Sequence, residues 1–365
     1  MDKTVRIGLI GTSWWVDLMY VPSLLSHPAA RVVGVCGRDA SRAGEVARKL
    51  GAKVFADYRE LVASGEIDAI VVAAPDDLHY EMTVAAIEAG LHVLCEKPLA
   101  GKASQARDML ERAERARVKH MVLFTWRWQP HWRFVKQLVD DGFLGRCYHA
   151  TFEFLATFAL DDGYKWRFDG RRSNGVAGDL GSHLIDFAQW FLGDVCSVSA
   201  DLPRFIDQST TSHPSPMPVN DVGLLTIEFV GGARAQIRTS AVSRLGDEGV
   251  RVSAFLHGEE GTLEICHTYF GVNAGVVIRG VRKGERMFSG LEIPVSFYEG
   301  GVDPQQLFDP YIKQSAGPRA FIDAILADMP AAPGFDVGVR VQEVVDAALQ
   351  SNAEKRCVRL ATCQA

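Results

Sequence analysis

Short runs of nearly unbroken apolar residues punctuate the first 125 positions: VRIGLIG from Val5, ARVVGVCG from Ala30, AIVVAAP from Ala69, LHVLCE from Leu91 and KHMVLFT from Lys119. Runs without alternation are what parallel strands covered on both faces require. Between them, Ser41–Leu50, Tyr58–Ser64, His79–Ala89 and Gln105–Ala116 place apolar residues at helical spacing. Strand and helix alternating in this way predict an α/β Rossmann-type domain over residues 1–125, a doubly wound parallel sheet.

From Trp126 the rhythm changes. A helical stretch, Trp132–Val139, precedes longer runs in which apolar and polar residues alternate: Tyr148–Phe154, Val222–Phe229, Arg234–Ser243, Val250–His257, Gly261–Cys266 and Gly275–Val281. A helix is expected near Gly181–Phe191, and two more at Pro318–Asp328 and Val337–Asn352. The pattern predicts an α+β domain over residues 126–365 with a large, mainly antiparallel open sheet. The final helix, residues 337–352, is a candidate to pack back on the first domain. The Pro- and Ser-rich stretch Thr210–Pro218 reads as a loop or lid. An open sheet face suggests a homo-oligomer, a dimer or tetramer paired through that sheet.

Composition narrows the function classes. The 365 residues are 47% hydrophobic and 23% charged with a formal net charge of −6, which fits packed domains and argues against nucleic acid as a partner. The most apolar run, Ala69–Pro75, is too short for a membrane span. Residues 1–11 lead straight into a strand without the pattern of a signal peptide. Seven scattered cysteines without a C-x-x-C pair argue against a disulfide framework or a zinc site, so a reducing cytoplasm is the expected setting.

Ligands of doubly wound sheets bind at the carboxyl ends of the strands. After the first strand the chain reads Gly11-Thr12-Ser13-Trp14-Trp15-Val16, where the dinucleotide fingerprint asks for Gly at the first, third and sixth positions; only Gly11 complies. Ser13 still leaves a small residue beside a pyrophosphate, and a helix N-terminus supplies N–H donors. Alone, this segment reads equally well as an ordinary tight turn. The second strand ends Cys36-Gly37-Arg38, with Gly37 where an acid would bind the ribose of NAD and Arg38 suited to a 2′-phosphate. That tilts the cofactor toward NADP, with Asp39 as a rival carboxylate for NAD.

The segment Cys95-Glu96-Lys97-Pro98 follows a buried strand, so Lys97 sits at the sheet's carboxyl edge, able to polarise a substrate oxygen beside a nicotinamide. Glu96 is placed to orient that ammonium or to contact the nicotinamide ribose. An isolated EKP is more often a surface turn. Here, however, it stands in an ordered series: IGLIGTSWW, AAPDDLH ending at His79, CEKP, WRWQP from Trp126, DLGSHLID from Asp179 and the closing VQEVVDAALQSN. With these motifs the whole chain resembles the glucose–fructose oxidoreductase / inositol dehydrogenase (Gfo/Idh/MocA) family.

The family's D-x-G-x-H pattern matches Asp179-Leu180-Gly181-Ser182-His183. The i, i+4 spacing puts Asp179 and His183 on one helical face, with Asp179 near an N-terminus, and a histidine titrating near neutrality can take a hydroxyl proton. A lone His would more often be a packed core residue, and no third ligand suggests a metal. The resemblance further implies that His79 lines the nicotinamide end, with Ala74 and Pro75 at the adenosine-to-ribose edge and Trp14 and Trp15 walling the pocket. Trp126, Arg127, Trp128, Tyr164, Trp166 and Arg167 offer aromatic faces and donors suited to a sugar ring, core packing being the plain alternative for each tryptophan. The expected function is an NAD- or NADP-dependent oxidoreductase. It would move a hydride between the nicotinamide and a hydroxyl or carbonyl carbon of a sugar, glycoside or cyclic polyol, with Lys97, Asp179 and His183 catalytic. Two rivals share the fold: a redox-neutral glycosidase that retains its cofactor, and a cofactor-sensing regulatory protein.

Overall fold

A computed structural model describes residues 3–161, 165–207, 215–272 and 274–363. The chain divides into two compact units: Met1–Gln129 with Tyr298–Arg340, and Pro130–Phe297 with Val341–Ala365. Residues 298–340 therefore pack with the amino-terminal sheet, although they follow the large second sheet in sequence.

The first unit holds a six-stranded sheet in the order β3-β2-β1-β4-β5-β6. Its strands are β1 (Val5–Ile10), β2 (Ala30–Cys36), β3 (Lys53–Phe55), β4 (Ala69–Val72), β5 (His92–Glu96) and β6 (His120–Leu123). Every pairing is parallel, and this is the doubly wound order read from the apolar runs. The strand order reverses between β1 and β4, so their carboxyl ends form the crevice where such sheets bind ligands. Leu9, Val35, Ile70 and Val93 are fully buried. Phe321 and Ile322, from the helix Pro318–Leu326, join the same core.

The second unit holds a nine-stranded sheet in the order β14-β13-β12-β11-β7-β10-β9-β8-β15. These are β7 (Cys147–Leu155), β8 (Val195–Asp201), β9 (Val222–Phe229), β10 (Arg234–Ser240), β11 (Val250–Gly258), β12 (Gly261–Tyr269), β13 (Gly275–Arg282), β14 (Ser289–Gly290) and β15 (Val358–Arg359). All neighbours run antiparallel except β7 and β10. One face is buried under aromatic packing, with Trp132 and Phe187 rings 4.3 Å apart and Phe152 against Phe191. The opposite face carries Thr151, Glu153, Gln236 and Arg238 at alternate positions, as the period-2 pattern requires.

One expectation from composition is corrected. Cys196 and Cys363 form a disulfide, with Cα atoms 4.7 Å apart across 167 residues of sequence. The tail reaches β8 because β15 pairs antiparallel with it, Leu360 N–H donating to Cys196 O at 2.9 Å. The sequence concealed this, since no local spacing links the two cysteines. The Thr210–Pro218 stretch, expected as a loop or lid, lies largely outside the described residues, as does Tyr164. No helix among the described residues is long and apolar enough to cross a membrane.

Candidate active site

The crevice of the first unit is built from close backbone approaches. Gly11 ends β1 at φ +121°, and a Cβ there would stand 2.2 Å from Ala73 O, so only glycine lets β1 and β4 deliver the chain to this point. Thr12 and Ser13 follow, and the helical backbone starts at Trp14. Ser13 O accepts from Val16 N at 3.0 Å, which leaves a one-turn cradle of backbone amides at the strand edge. These residues fit a dinucleotide: a glycine lets the two central strands meet at the crevice, and a helix starts at its rim.

Gly37 ends β2, and a Cβ there would lie 2.6 Å from Thr12 Cγ2. The Thr12 side chain therefore occupies the space an acid at this position would enter. Arg38 is exposed. Asp39 caps the helix Ala40–Leu50, its Oδ1 accepting from Ser41 N at 2.9 Å and Arg42 N at 3.1 Å. Its carboxylate, the rival for the ribose, is thus engaged in the cap. Arg42 ties this helix back to the glycine turn through Thr12 O and the carboxylate of Asp17.

At the end of β5, Glu96 is buried and its two oxygens are held separately. Oε1 accepts from Trp15 Nε1 at 2.9 Å and from the Tyr20 hydroxyl at 3.0 Å, and Oε2 accepts from Lys97 N at 3.1 Å. Burial, then the Glu96 charge, pushes the Tyr20 phenol well above its ordinary range. Lys97 is half-buried, and its bond to Pro98 is cis. Trp14 is 61% exposed, whereas Trp15 is partly buried edge-on to Phe308.

His79 is fully buried, with Nδ1 2.8 Å from Pro98 O and Nε2 2.9 Å from Ala74 O. Its ring thus ties Ala74, at the end of β4, to the loop that carries Lys97, and its side chain reaches a ligand only through those neighbours. Pro75 precedes the helix Asp76–Glu88 at its N-cap. Trp126 is 7% exposed within the 3-10 turn Thr125–Trp128, so its ring packs in the unit, while Arg127 is half-buried.

The second unit carries the other predicted group. Asp179 ends the short helix Gly175–Asp179, and His183 lies in Gly181–Leu192; Leu180 between them keeps helical angles (φ −87°, ψ −36°). Both side chains are buried, and His183 packs against Phe154 with ring centroids 5.9 Å apart. Asp179 stands at the last position of its short helix, directly before the helix that carries His183. Arg167 Nε, from the 3-10 turn Trp166–Phe168, meets Asp179 Oδ2 at 3.0 Å, with the guanidinium stacked 4.4 Å over Trp166.

Two supporting residues escaped the sequence reading. Tyr20 lies outside every motif, and Asn220 lies in a loop. Asn220 Oδ1 accepts from Ala177 N at 2.8 Å and its Nδ2 donates to Asn174 O at 2.9 Å, fixing the start of the helix that delivers Asp179. The only local hint of Asn220 is its loop context; nothing local marks Tyr20. Among the described residues, no group of three or more His, Cys, Asp or Glu is arranged to hold a metal ion.

Comparison with known proteins decides the lineage. The Gfo/Idh/MocA profile described as an oxidoreductase family with an NAD-binding Rossmann fold matches residues 5–124, and that family's C-terminal domain profile matches 132–264. The chain belongs to the Gfo/Idh/MocA family. It is thus a member of an NAD-binding oxidoreductase family, and the parallel sheet and the open sheet are that family's two domains. Among Gfo/Idh/MocA relatives, inositol 2-dehydrogenase of Rubrobacter xylanophilus is 29% identical over 293 residues, spanning 79% of this chain and 78% of that protein. D-xylose 1-dehydrogenase (NADP(+)) 2 of Haloferax volcanii is 30% identical over 240 residues, 65% of this chain and 69% of that one. The fold matches levoglucosan dehydrogenase in complex with NADH and levoglucosan with a TM-score of 0.87, at 23% identity over 98% of this chain and 99% of that one.

Proposed function

We propose that this chain is a dehydrogenase of a secondary hydroxyl on a sugar, glycoside or cyclic polyol. The observation that carries the reading is Lys97 at the carboxyl edge of the NAD-binding sheet, next to a carboxylate immobilised by three donors. The substrates named for the relatives (inositol, xylose and levoglucosan) support the substrate class.

When bound, the nicotinamide supplies the hydride acceptor. Lys97 hydrogen-bonds the reacting oxygen and stabilises the charge that develops on it. His183 takes the hydroxyl proton as the carbon gives up its hydride, so one C–H and one O–H bond break and a carbonyl forms. Asp179, held by Arg167, orients His183 or the substrate. Gly11, Thr12, Ser13 and the turn into Trp14 receive the pyrophosphate. Gly37 and Arg38 carry the lean toward NADP. Trp166, Arg167 and Arg127 are the proposed sugar contacts.

The second sheet's open face pairs opposite charges across its strands, as in Arg234–Glu228, Arg238–Glu153 and Arg279–Glu264, among exposed Leu224, Val277 and Phe288. A face carrying both signs and apolar patches suits a second copy of itself, which supports a homo-oligomer. Five free thiols support a cytoplasmic setting, with the Cys196–Cys363 pair weighing against it.

The test is an oxidation screen of sugars, inositols and glycosides with NAD and NADP separately, followed by nicotinamide absorbance. Absorbance growth that is lost in Lys97→Ala and His183→Ala is expected. Product without net absorbance change would favour a redox-neutral glycosidase, and cofactor binding without any turnover would favour a sensor.

A further inference from the structure

Trp15 and Tyr20 are five residues apart, yet both donate to the same oxygen of Glu96, at 2.9 and 3.0 Å. On an α-helix, residues five apart face roughly 140° away from each other and could not converge. The backbone between them is not α-helical. Val16–Tyr20 forms a π turn, closed by Val21 N–H donating to Val16 O, five residues back. That wider turn brings the fifth residue round beneath the first, onto one face. The π turn is what lets two donors meet on one carboxylate oxygen.

The arrangement is specific to a phenol. Tyr20 is fully buried, and Phe would fill the same space without the need to satisfy a hydroxyl in the interior. The hydroxyl instead reaches Glu96, 76 residues away in sequence. With Oε1 fixed by two donors, Oε2 is fixed too, and Oε2 accepts the backbone N–H of Lys97 at 3.1 Å. The chain of contacts therefore runs from the π turn, through one carboxylate, into the peptide from which Lys97 projects. Glu96 at the end of β5 is anchored to its strand, so the constraint passes to the loop and is not absorbed by the strand.

We propose that Tyr20 is a positioning residue for hydride transfer, acting through Glu96 to fix the backbone that aims Lys97. The proposal rests on the dehydrogenase reading for its effect on rate, whereas its effect on the Lys97 peptide can be read without any substrate.

The test compares wild type, Tyr20→Phe, Glu96→Gln and the double variant as full-length protein. Tyr20→Phe is expected to lower kcat about tenfold, as small misplacements of an aiming group do, while KM and the dissociation constant for NADH change less than about twofold. In the Glu96→Gln background the same substitution is expected to change kcat less than about twofold. With the amide oxygen on the Trp15 and Tyr20 donors, the amide NH2 cannot accept the Lys97 N–H, and the link to that peptide is already broken. Amide hydrogen exchange of the peptide containing Lys97 is expected to quicken roughly tenfold in Tyr20→Phe. Trp15→Phe removes the other donor to Oε1 and is expected to quicken the same exchange, which serves if Tyr20→Phe does not fold. Unchanged exchange, or a kcat loss equal in both backgrounds, overturns the proposal. Faster exchange in a protein whose wild type oxidises no sugar or polyol upholds the clamp and rejects the dehydrogenase reading instead.

Discussion

Arg167 meets Asp179 side-on, Nε to Oδ2 at 3.0 Å, and the aspartate it holds is only 10% exposed. A pair with one buried member resists screening better than a surface pair. The contact also links the turn Trp166–Phe168 to the helix that ends at Asp179. Arg167→Lys keeps the charge but loses the planar fork. We expect kcat/KM to fall roughly tenfold in Arg167→Lys and roughly 100-fold in Arg167→Ala. Steady-state kinetics with the substrate found by the screen, beside a melting curve for each variant, decides the matter. Wild-type kcat/KM in Arg167→Ala would show that Asp179 does not depend on Arg167.

His79 has a carbonyl oxygen on each ring nitrogen, so both nitrogens must carry protons to satisfy them. Burial alone would push the imidazole down. The Cys95 side chain and the carbonyls of Pro98 and Ala74 outweigh it and raise the group from 6.5 to about 9. A raised value means the folded state holds the proton more tightly, so this contribution is complete below pH 6.5 and is lost as pH climbs through about 9. The stability gap between wild type and His79→Asn is therefore expected to shrink over that interval, by on the order of 3 kcal/mol at most. Urea unfolding at pH 6.5 and pH 9 measures it. A gap that stays constant would mean His79 is neutral in the fold.

What the chain's pattern reveals depends on burial and on sequence distance. β1, β2, β4, β5 and β6 were legible because both faces are covered and the apolar runs are continuous. β3, three residues long with Lys53 and Val54 exposed, left no such run. The helix expected after the glycine turn has no readable extent in the pattern, because the π turn in the stretch Trp14 to Ser26 shifts the 3.6-residue period and Pro22 interrupts it. In the site, Lys97, Asp179 and His183 stand in recognisable motifs. Two of their supports do not, because Tyr20 meets Glu96 across 76 residues and Asn220 meets Ala177 across 43. Periodicity reports on a residue's own element. It carries no signal for a partner that only the fold brings near.

The Cys196–Cys363 bond closes a loop of 167 residues and seals the short strand β15 onto β8. Cross-links that span long loops act mainly on the unfolded chain, typically by ~2–5 kcal/mol. Thiol titration of the denatured, unreduced protein is expected to find the five free cysteines Cys36, Cys95, Cys147, Cys266 and Cys357. Dithiothreitol or Cys363→Ser is expected to lower the melting temperature by several degrees without touching cofactor affinity, since both cysteines lie in the second unit. Seven titratable thiols would show that the bond does not form in solution.

Cofactor choice turns on the packing of Thr12 against Gly37. An acid at the end of β2 is the usual device for selecting NAD over NADP, and its route here is closed, because a Cβ on Gly37 would lie 2.8 Å from Thr12 Oγ1 as well as 2.6 Å from its methyl. Gly37→Asp alone is thus expected to weaken both cofactors, about tenfold or more, by displacing Thr12 from the glycine turn. Thr12→Gly removes the obstruction. The double variant Thr12→Gly/Gly37→Asp is expected to recover NAD affinity while NADP stays weak, because the new carboxylate meets the ribose hydroxyl and repels the 2′-phosphate. Fluorescence titration of NADH and NADPH against the three variants separates the outcomes. If Gly37→Asp alone already prefers NADH at undiminished affinity, Thr12 yields freely, and the glycine at the end of β2 then reflects the cofactor and not the packing.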